Sequence, residues 1–236
     1  MSTTSLAPLP ETYVQTTAAL HRLAVYVIAP AQRLANGEII LRATPGGFST
    51  FEFDGHVVGV DGDQLVVDNV CRPLTTLSAA AAAVGITPDV AQQEQFDVPP
   101  HGDVDEPLAV DADGARALGD WYGFATEALD SLRADAGPND DPSIVRIWPE
   151  HFDAAIDMGD DAANHRATYG ASPGDGHHAE PYLYVSPWAG RIDDFFADPA
   201  FNGATILHSQ LVDDTDAMGT ALSFFREARD RIERHV

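Results

Sequence analysis

The sequence contains no lysine and one cysteine, Cys71, among its 236 residues. Without lysine, a covalent mechanism that passes through a lysine Schiff base is excluded. A single cysteine excludes an internal disulfide and a zinc site built from several thiolates. It also favours a reducing cytoplasm as the compartment.

Positive charge is scarce as well. Only 13 basic residues, all arginine, stand against 37 acidic ones, and the formal net charge is −24. Such a surface repels phosphate backbones and anionic lipids, so nucleic acid and membranes are poor candidates for partners. The sequence also lacks an apolar run long enough to span a bilayer, and its first ten residues lack a secretory signal pattern. We therefore expect a cytoplasmic protein.

The composition that remains is that of a globular protein, with 44% hydrophobic residues. Apolar residues recur at steps of three and four over residues 11–35, which predicts an N-terminal helix that ends at Asn36-Gly37. A second helix is expected over 76–84, before Gly85. A central helix should begin after Asp111, and a C-terminal helix after Asp213 and Asp214.

Between these helices, short segments alternate apolar and polar residues or carry turn residues at their ends. They predict strands at 38–44, 48–53, 56–61, 64–70, 144–148, 151–158, 164–171, 181–187 and 204–211. Strands and helices are segregated along the chain. This arrangement predicts an α+β fold, with largely antiparallel sheet on which N-terminal, central and C-terminal helices pack.

Residues 97–107 contain three prolines and four acids and few apolar residues, which is typical of a linker or a long surface crossing. The predicted organisation is a helix and β-meander region over 1–96. A helix, antiparallel strands and a closing helix would follow over 108–236. A single continuous domain remains the alternative.

The candidate site lies between Trp148 and Trp188. If 150–158 is a strand, its apolar residues Phe152, Ala154, Ile156 and Met158 lie on one face. The opposite face then carries His151, Asp153 and Asp157. In the strand over 180–186, the residues that share a face are Glu180, Tyr182 and Tyr184. Pairing of the two strands would collect carboxylates, an imidazole and two phenols on one surface.

His151, Asp153 and Glu180 are the predicted catalytic residues. They are also the predicted ligands of a divalent metal, because neutral imidazole and carboxylate groups suit such an ion. The residues predicted to contact a ligand are Arg42, His177, Tyr182 and Tyr184. Because His177 and His178 point to opposite sides of an extended chain, at most one should serve. The alternative is a solvated strand face whose acids belong to the general negative charge.

Gly170-Ala171-Ser172-Pro173-Gly174 has the G-x-S-x-G spacing of a serine hydrolase, in which a helix follows the serine. Here a glycine-rich loop and a strand are expected instead. The oxyanion hole would also need the backbone N–H of the residue after the serine, and Pro173 has none. These two points argue against a serine nucleophile.

Four segments resemble an uncharacterised family of acidic actinobacterial proteins. They are Leu41 to Phe48 (LRATPGGF), Trp148 to Asp153 (WPEHFD), Tyr169 to Asp175 (YGASPGD) and Glu180 to Val185 (EPYLYV). The resemblance implies an intracellular actinobacterial protein, and it implies no activity.

These observations lead to two alternative hypotheses about the function. The first is the binding of a small molecule or divalent metal at the His, carboxylate and Tyr face, with metal-assisted or acid–base catalysis as its enzymatic form. The second is a non-enzymatic module that binds a protein partner or a second copy of itself. In that case Trp148 and Trp188 would be the interface anchors.

Overall fold

The computed structural model describes residues 6–95 and 98–235, and the chain divides into two compact units. Of the described residues, the N-terminal unit takes 9–95, 98–123 and 146–152. The C-terminal unit takes 6–8, 124–145 and 153–235. The fold is α+β, and the strand pairings within each unit are antiparallel, as the segregation of helices and strands predicted.

The predicted boundary at 97–107 differs from this division, because residues 98–107 lie within the N-terminal unit. The reason is hydrogen bonding to the first helix. Arg22 donates to the carbonyl of His101, and the Tyr26 hydroxyl donates to the carbonyl of Pro99. A proline-rich, acidic composition describes a segment without regular structure, but it does not show whether the segment is held in place.

The N-terminal unit opens with a helical run that confirms the predicted helix. It consists of α1 (Tyr13–Leu23), a π-helical turn (Ala24–Ile28) and α2 (Ala29–Asn36). The π turn ends just before Pro30, whose ring and missing N–H disturb the regular hydrogen bonding of an α-helix. Gly37 ends the run in the left-handed region, at φ 82°.

A meander follows, and it contains one more strand than predicted. Its strands are β1 (Leu41–Thr44), β2 (Gly47–Thr50), β3 (Val58–Asp61), β4 (Gln64–Val67) and β5 (Val70–Pro73). Asp68 and Asn69 both have positive φ, so they form a tight turn within the predicted strand 64–70. With β6 (Arg146–Trp148), the strand order in this unit is β6-β1-β2-β3-β4-β5.

Three more helices begin in this unit. They are α3 (Leu77–Ala83), α4 (Gln92–Gln95) and α5 (Ala112–Ala134). Thr76 and Asp111 accept hydrogen bonds from the first turns of α3 and α5, as N-caps do. The division between the units falls within α5, after Gly123.

The C-terminal unit contains the strands of the candidate site. They are β7 (Asp153–Met158), β8 (Ala167–Ser172), β9 (Tyr182–Pro187) and β10 (Ala204–Leu207), in the order β10-β9-β8-β7. Two helices follow, α6 (His208–Leu211) and α7 (Ala217–Arg234). The strand predicted over 204–211 therefore ends at Leu207. Asp216, rather than Asp213 or Asp214, caps α7.

One face of this sheet packs on α7. Tyr169 on β8 meets Phe225 on α7 with ring centroids 6.1 Å apart, and Ala154, Ile156 and Val185 are buried. The predicted apolar side of β7 and β9 is thus confirmed. In the part of the chain that is described, no helix is long and apolar enough to cross a membrane.

Candidate functional site

The other face of β7, β8 and β9 is polar, and we call it the polar face. It carries Asp153, Asp157, Thr168, Gly170, Ser172, Tyr182, Tyr184 and Ser186. The strand register places Gly170 between Ala155 and Tyr184. The prediction that Asp153, Tyr182 and Tyr184 share a surface is therefore confirmed by strand phase and pairing.

Tyr184 reaches across β8 to Asp153 over a residue without a side chain. An ideal Cβ at Gly170 would stand only 2.4 Å from Tyr184 Cζ and 2.6 Å from its hydroxyl oxygen. The phenol ring therefore occupies the space that a side chain on β8 would fill. From there the Tyr184 hydroxyl donates a hydrogen bond to Asp153 on β7. Glycine within a strand often marks such a close approach.

This arrangement keeps Tyr184 protonated. Burial, the nearby negative charge of Asp153 and the hydrogen bond to it together raise the pKa of Tyr184 well above its ordinary value. Asp153 itself is 6% exposed. Tyr184 is thus a fixed hydrogen-bond donor, and it cannot act as a base near neutral pH.

A second phenol and carboxylate pair lies beside the first. The Tyr182 hydroxyl donates to Asp175 Oδ2 at 2.6 Å, and burial raises the pKa of Tyr182. Asp175 Oδ1 accepts the backbone N–H groups of His177 and His178 at 2.7 and 2.8 Å. Burial works to raise the pKa of Asp175, but these three hydrogen bonds outweigh it and the pKa lies below its usual value. Asp175 is therefore a carboxylate at neutral pH.

The third element of the site is a pair formed by His178 and Asp198. His178 Nε2 lies 3.0 Å from Asp198 Oδ2, and the two side chains are 17% and 2% exposed. Asp198 also accepts the Thr205 hydroxyl at 2.8 Å and the Ala200 N–H at 2.9 Å. A carboxylate has no proton to donate, so Nε2 carries the hydrogen and Nδ1 is the basic nitrogen of the neutral ring.

Aromatic contacts join these pairs into one cluster. His178 meets Tyr182 at 4.8 Å between ring centroids, and Tyr182 meets Tyr184 at 6.1 Å. Phe201 completes the series at 5.9 Å from Tyr184. We call these four residues the ring series.

The two adjacent histidines, His177 and His178, have different surroundings. His177 is exposed, and its described hydrogen bond is made by its backbone N–H. His178, the neighbour, is turned toward Asp198. The carboxylate of Glu180, a predicted catalytic residue and metal ligand, accepts the backbone N–H and the hydroxyl of Ser209, at 2.6 and 3.0 Å. Ser209 lies in the first turn of α6, where a carboxylate is favoured.

His151 and Arg42 belong to the N-terminal unit. The strand phase assigned to His151 is wrong, because residues 149–152 form a turn and β7 begins only at Asp153. Phe152 has φ 58°, so it is not on the strand face either, and its ring packs against Phe48 and Tyr122. The Arg42 guanidinium donates to Ser49 at 3.2 Å.

Side chains for a metal centre were predicted at His151, Asp153 and Glu180. Within residues 6–95 and 98–235, no group of three or more His, Cys, Asp or Glu side chains is arranged to hold a metal ion. The carboxylates beside the ring series, Asp153, Asp175 and Asp198, instead face hydroxyl, imidazole or backbone N–H donors.

Ser172 lies at the end of β8, in the segment with serine hydrolase spacing. The next regular element is β9, so the helix that a nucleophile elbow requires does not follow. The Ser172 hydroxyl accepts the N–H of Gly174 at 3.2 Å. The absence of that helix agrees with the argument against a serine nucleophile.

No family model matches the chain, and no curated protein or solved structure is detectably similar to it.

Proposed function

We propose that the chain binds a small organic molecule at the polar face and that His178, positioned by Asp198, is the acid–base group of the site. The observation that carries this proposal is the contact between His178 Nε2 and Asp198. A carboxylate bonded to one ring nitrogen fixes the tautomer and orients the ring. The opposite nitrogen then becomes a positioned base.

Burial supports this division of roles. Asp198 is enclosed, with 2% of its side chain exposed, whereas His178 retains 17%. The carboxylate is therefore shielded from solvent, while the imidazole remains within reach of a bound molecule. Tyr182 packs against the same ring, with the centroids 4.8 Å apart. Buried polar networks of this kind cost stability if any member is left unsatisfied, and active sites are where such networks concentrate.

The metal form of the predicted function is not carried forward, since the described residues assemble no ligand set for it. The small-molecule form needs only hydrogen-bonding groups and a base. These are supplied by Tyr182, Tyr184, Asp175 and His178.

The test is a thermal-shift screen of a metabolite library, followed by calorimetric titration of each compound that stabilises the protein. His178→Gln should weaken binding at least about tenfold, which corresponds to one charge-assisted or well-placed hydrogen bond. His177→Gln is the matched control, because it makes the same chemical change at the adjacent exposed histidine. A compound that binds His178→Gln and the unaltered protein equally well would contradict the assignment.

The alternative function, an interaction module, is favoured by Trp188. Its side chain is 56% exposed, yet it is held in place: the indole N–H donates to Thr168 at 3.1 Å, and Arg166 lies 5.1 Å from the ring centroid. An exposed, preordered tryptophan beside an arginine is typical of interface hot spots. Light scattering of the unaltered protein and of Trp188→Ala tests self-association. A monomeric mass for both would leave the small-molecule function as the sole proposal.

A further inference from the structure

The ring series lies against negative charge that no cation neutralises through a described hydrogen bond. Asp175 receives its hydrogen bonds from Tyr182 and from backbone N–H groups. Asp198 receives its hydrogen bonds from His178, Thr205 and a backbone N–H. Neutral donors stabilise a carboxylate but leave its charge in place, so exposed Asp175 still attracts a positive group, and enclosed Asp198 adds to the negative potential.

The rings themselves add to this attraction. The faces of aromatic rings are negative, so a cation near a ring centroid is stabilised, and more strongly when it is less hydrated. Tyr184 and Phe201 both keep part of their surface exposed. Tyr182 and Tyr184 also donate their hydroxyl hydrogens to carboxylates, which makes their rings richer in electrons.

Consecutive rings of the series are 4.8, 6.1 and 5.9 Å apart. Sites that recognise methylated ammonium groups surround them with several aromatic rings. An inorganic divalent cation prefers several oxygen ligands at short range, and the described residues provide no such group. The combination of rings and carboxylates therefore favours an organic cation over an inorganic divalent one.

We infer that the small molecule bound at the polar face is an organic cation, such as an amine or a quaternary ammonium compound, whose charged group lies against the ring series beside Asp175. This inference rests on the proposed function and specifies its ligand class. The remaining part of the molecule lies within reach of His178.

The experiment compares three probes of nearly equal shape on the full chain at constant ionic strength. They are choline, dimethylbutanol (its neutral isostere, with carbon in place of nitrogen) and dimethylbutyrate, an anion of similar size. Choline should bind with a Kd of about 1 mM or tighter, and the neutral isostere roughly tenfold more weakly. Constant ionic strength prevents general screening of the acidic surface from being read as binding.

Phe201→Leu removes one ring of the series and should weaken choline binding roughly three- to tenfold. Phe195→Leu is the matched control and should leave choline binding unchanged. Phe195 is likewise half-buried in the same unit, but Arg231 already lies 4.6 Å from its ring centroid. If Phe201→Leu does not fold, the comparison of choline with its neutral isostere on the unaltered chain still tests whether the site prefers a cation.

Equal binding of choline and its neutral isostere would overturn the cation class. The cation class would also be overturned if the metabolite screen found only neutral or anionic ligands. If the binding of those ligands depended on His178, the proposed function would still stand. If no compound of any charge binds, both the inference and the proposed function fall.

Discussion

Replacing Gly170 with alanine tests how the polar face is built. The new Cβ would lie 2.4 Å from Tyr184 Cζ, 2.5 Å from Cε1 and 2.6 Å from the hydroxyl oxygen. Carbon atoms in contact are normally about 3.5–4.0 Å apart. The Tyr184 ring must therefore move, and its hydroxyl loses its position on Asp153.

Two costs follow from this movement. Forcing a methyl group into a packed site costs about 1–3 kcal/mol. Loss of a hydrogen bond to a charged acceptor costs about 1.5–3 kcal/mol. Because the ring relieves part of the first cost when it moves, we expect Gly170→Ala to lower the free energy of unfolding by about 2–5 kcal/mol.

The assay is urea unfolding of the unaltered protein, Gly170→Ala, Tyr184→Phe and the double variant. Tyr184→Phe removes the same hydrogen bond without the clash, and it should cost about 1–3 kcal/mol. The double variant should be more stable than the sum of the two losses predicts, by about 1 kcal/mol or more, because both changes break one interaction. Gly123→Ala is the control, since its Cβ would meet open space in helix α5, and it should stabilise by about 0.5–1 kcal/mol.

A loss below about 0.5 kcal/mol for Gly170→Ala, or strict additivity with Tyr184→Phe, would refute the placement of the phenol over β8.

Other predictions concern groups outside the polar face. Burial lowers the pKa of His21 to about 4 from 6.5. As pH falls, the unfolded chain therefore binds this proton before the folded chain does. The free energy of unfolding should drop by about 3 kcal/mol at most as pH falls from about 6.5 to about 4. In His21→Gln, the urea midpoint should depend less on pH over that range. Asp140→Asn, which weakens hydrogen bonds to Arg229 (2.7 Å) and to the Gly137 N–H, should lower the unfolding free energy by about 2–4 kcal/mol. Exposed Cys71 should react fully with a thiol reagent in the native state; slow reaction would show that it is covered.

Strand periodicity predicts the polar face because β7 and β9 alternate over most of their length, with Ala155 as the apolar exception on the polar side of β7. Ala154 and Ile156 are buried on the α7 side, while Tyr182 and Tyr184 lie on the opposite side. Alternation depends only on local backbone geometry, so one sequence is enough to recognise it. It fails at His151, where a turn interrupts the assumed strand.

The pairing of His178 with Asp198 could not be predicted in this way. The two residues are separated by 20 positions that include β9 and a loop, and which loop folds onto which is decided by tertiary packing. Adjacent histidines in a loop also do not follow strand alternation, so the choice of His177 had no local basis. The one available signal was Gly170, an isolated glycine in a strand pattern that marks the place where Tyr184 crosses β8.

The most direct test of the central claim is long-range proton–nitrogen NMR of the histidine rings, recorded with and without a ligand from the screen. His178 should carry its hydrogen on Nε2, and Nδ1 should be unprotonated in the neutral ring. Saturating ligand should shift the His178 nitrogen signals, while those of His177 stay in place. A His178 ring protonated on Nδ1 alone, or a ligand that leaves the His178 signals unchanged, would contradict the central claim.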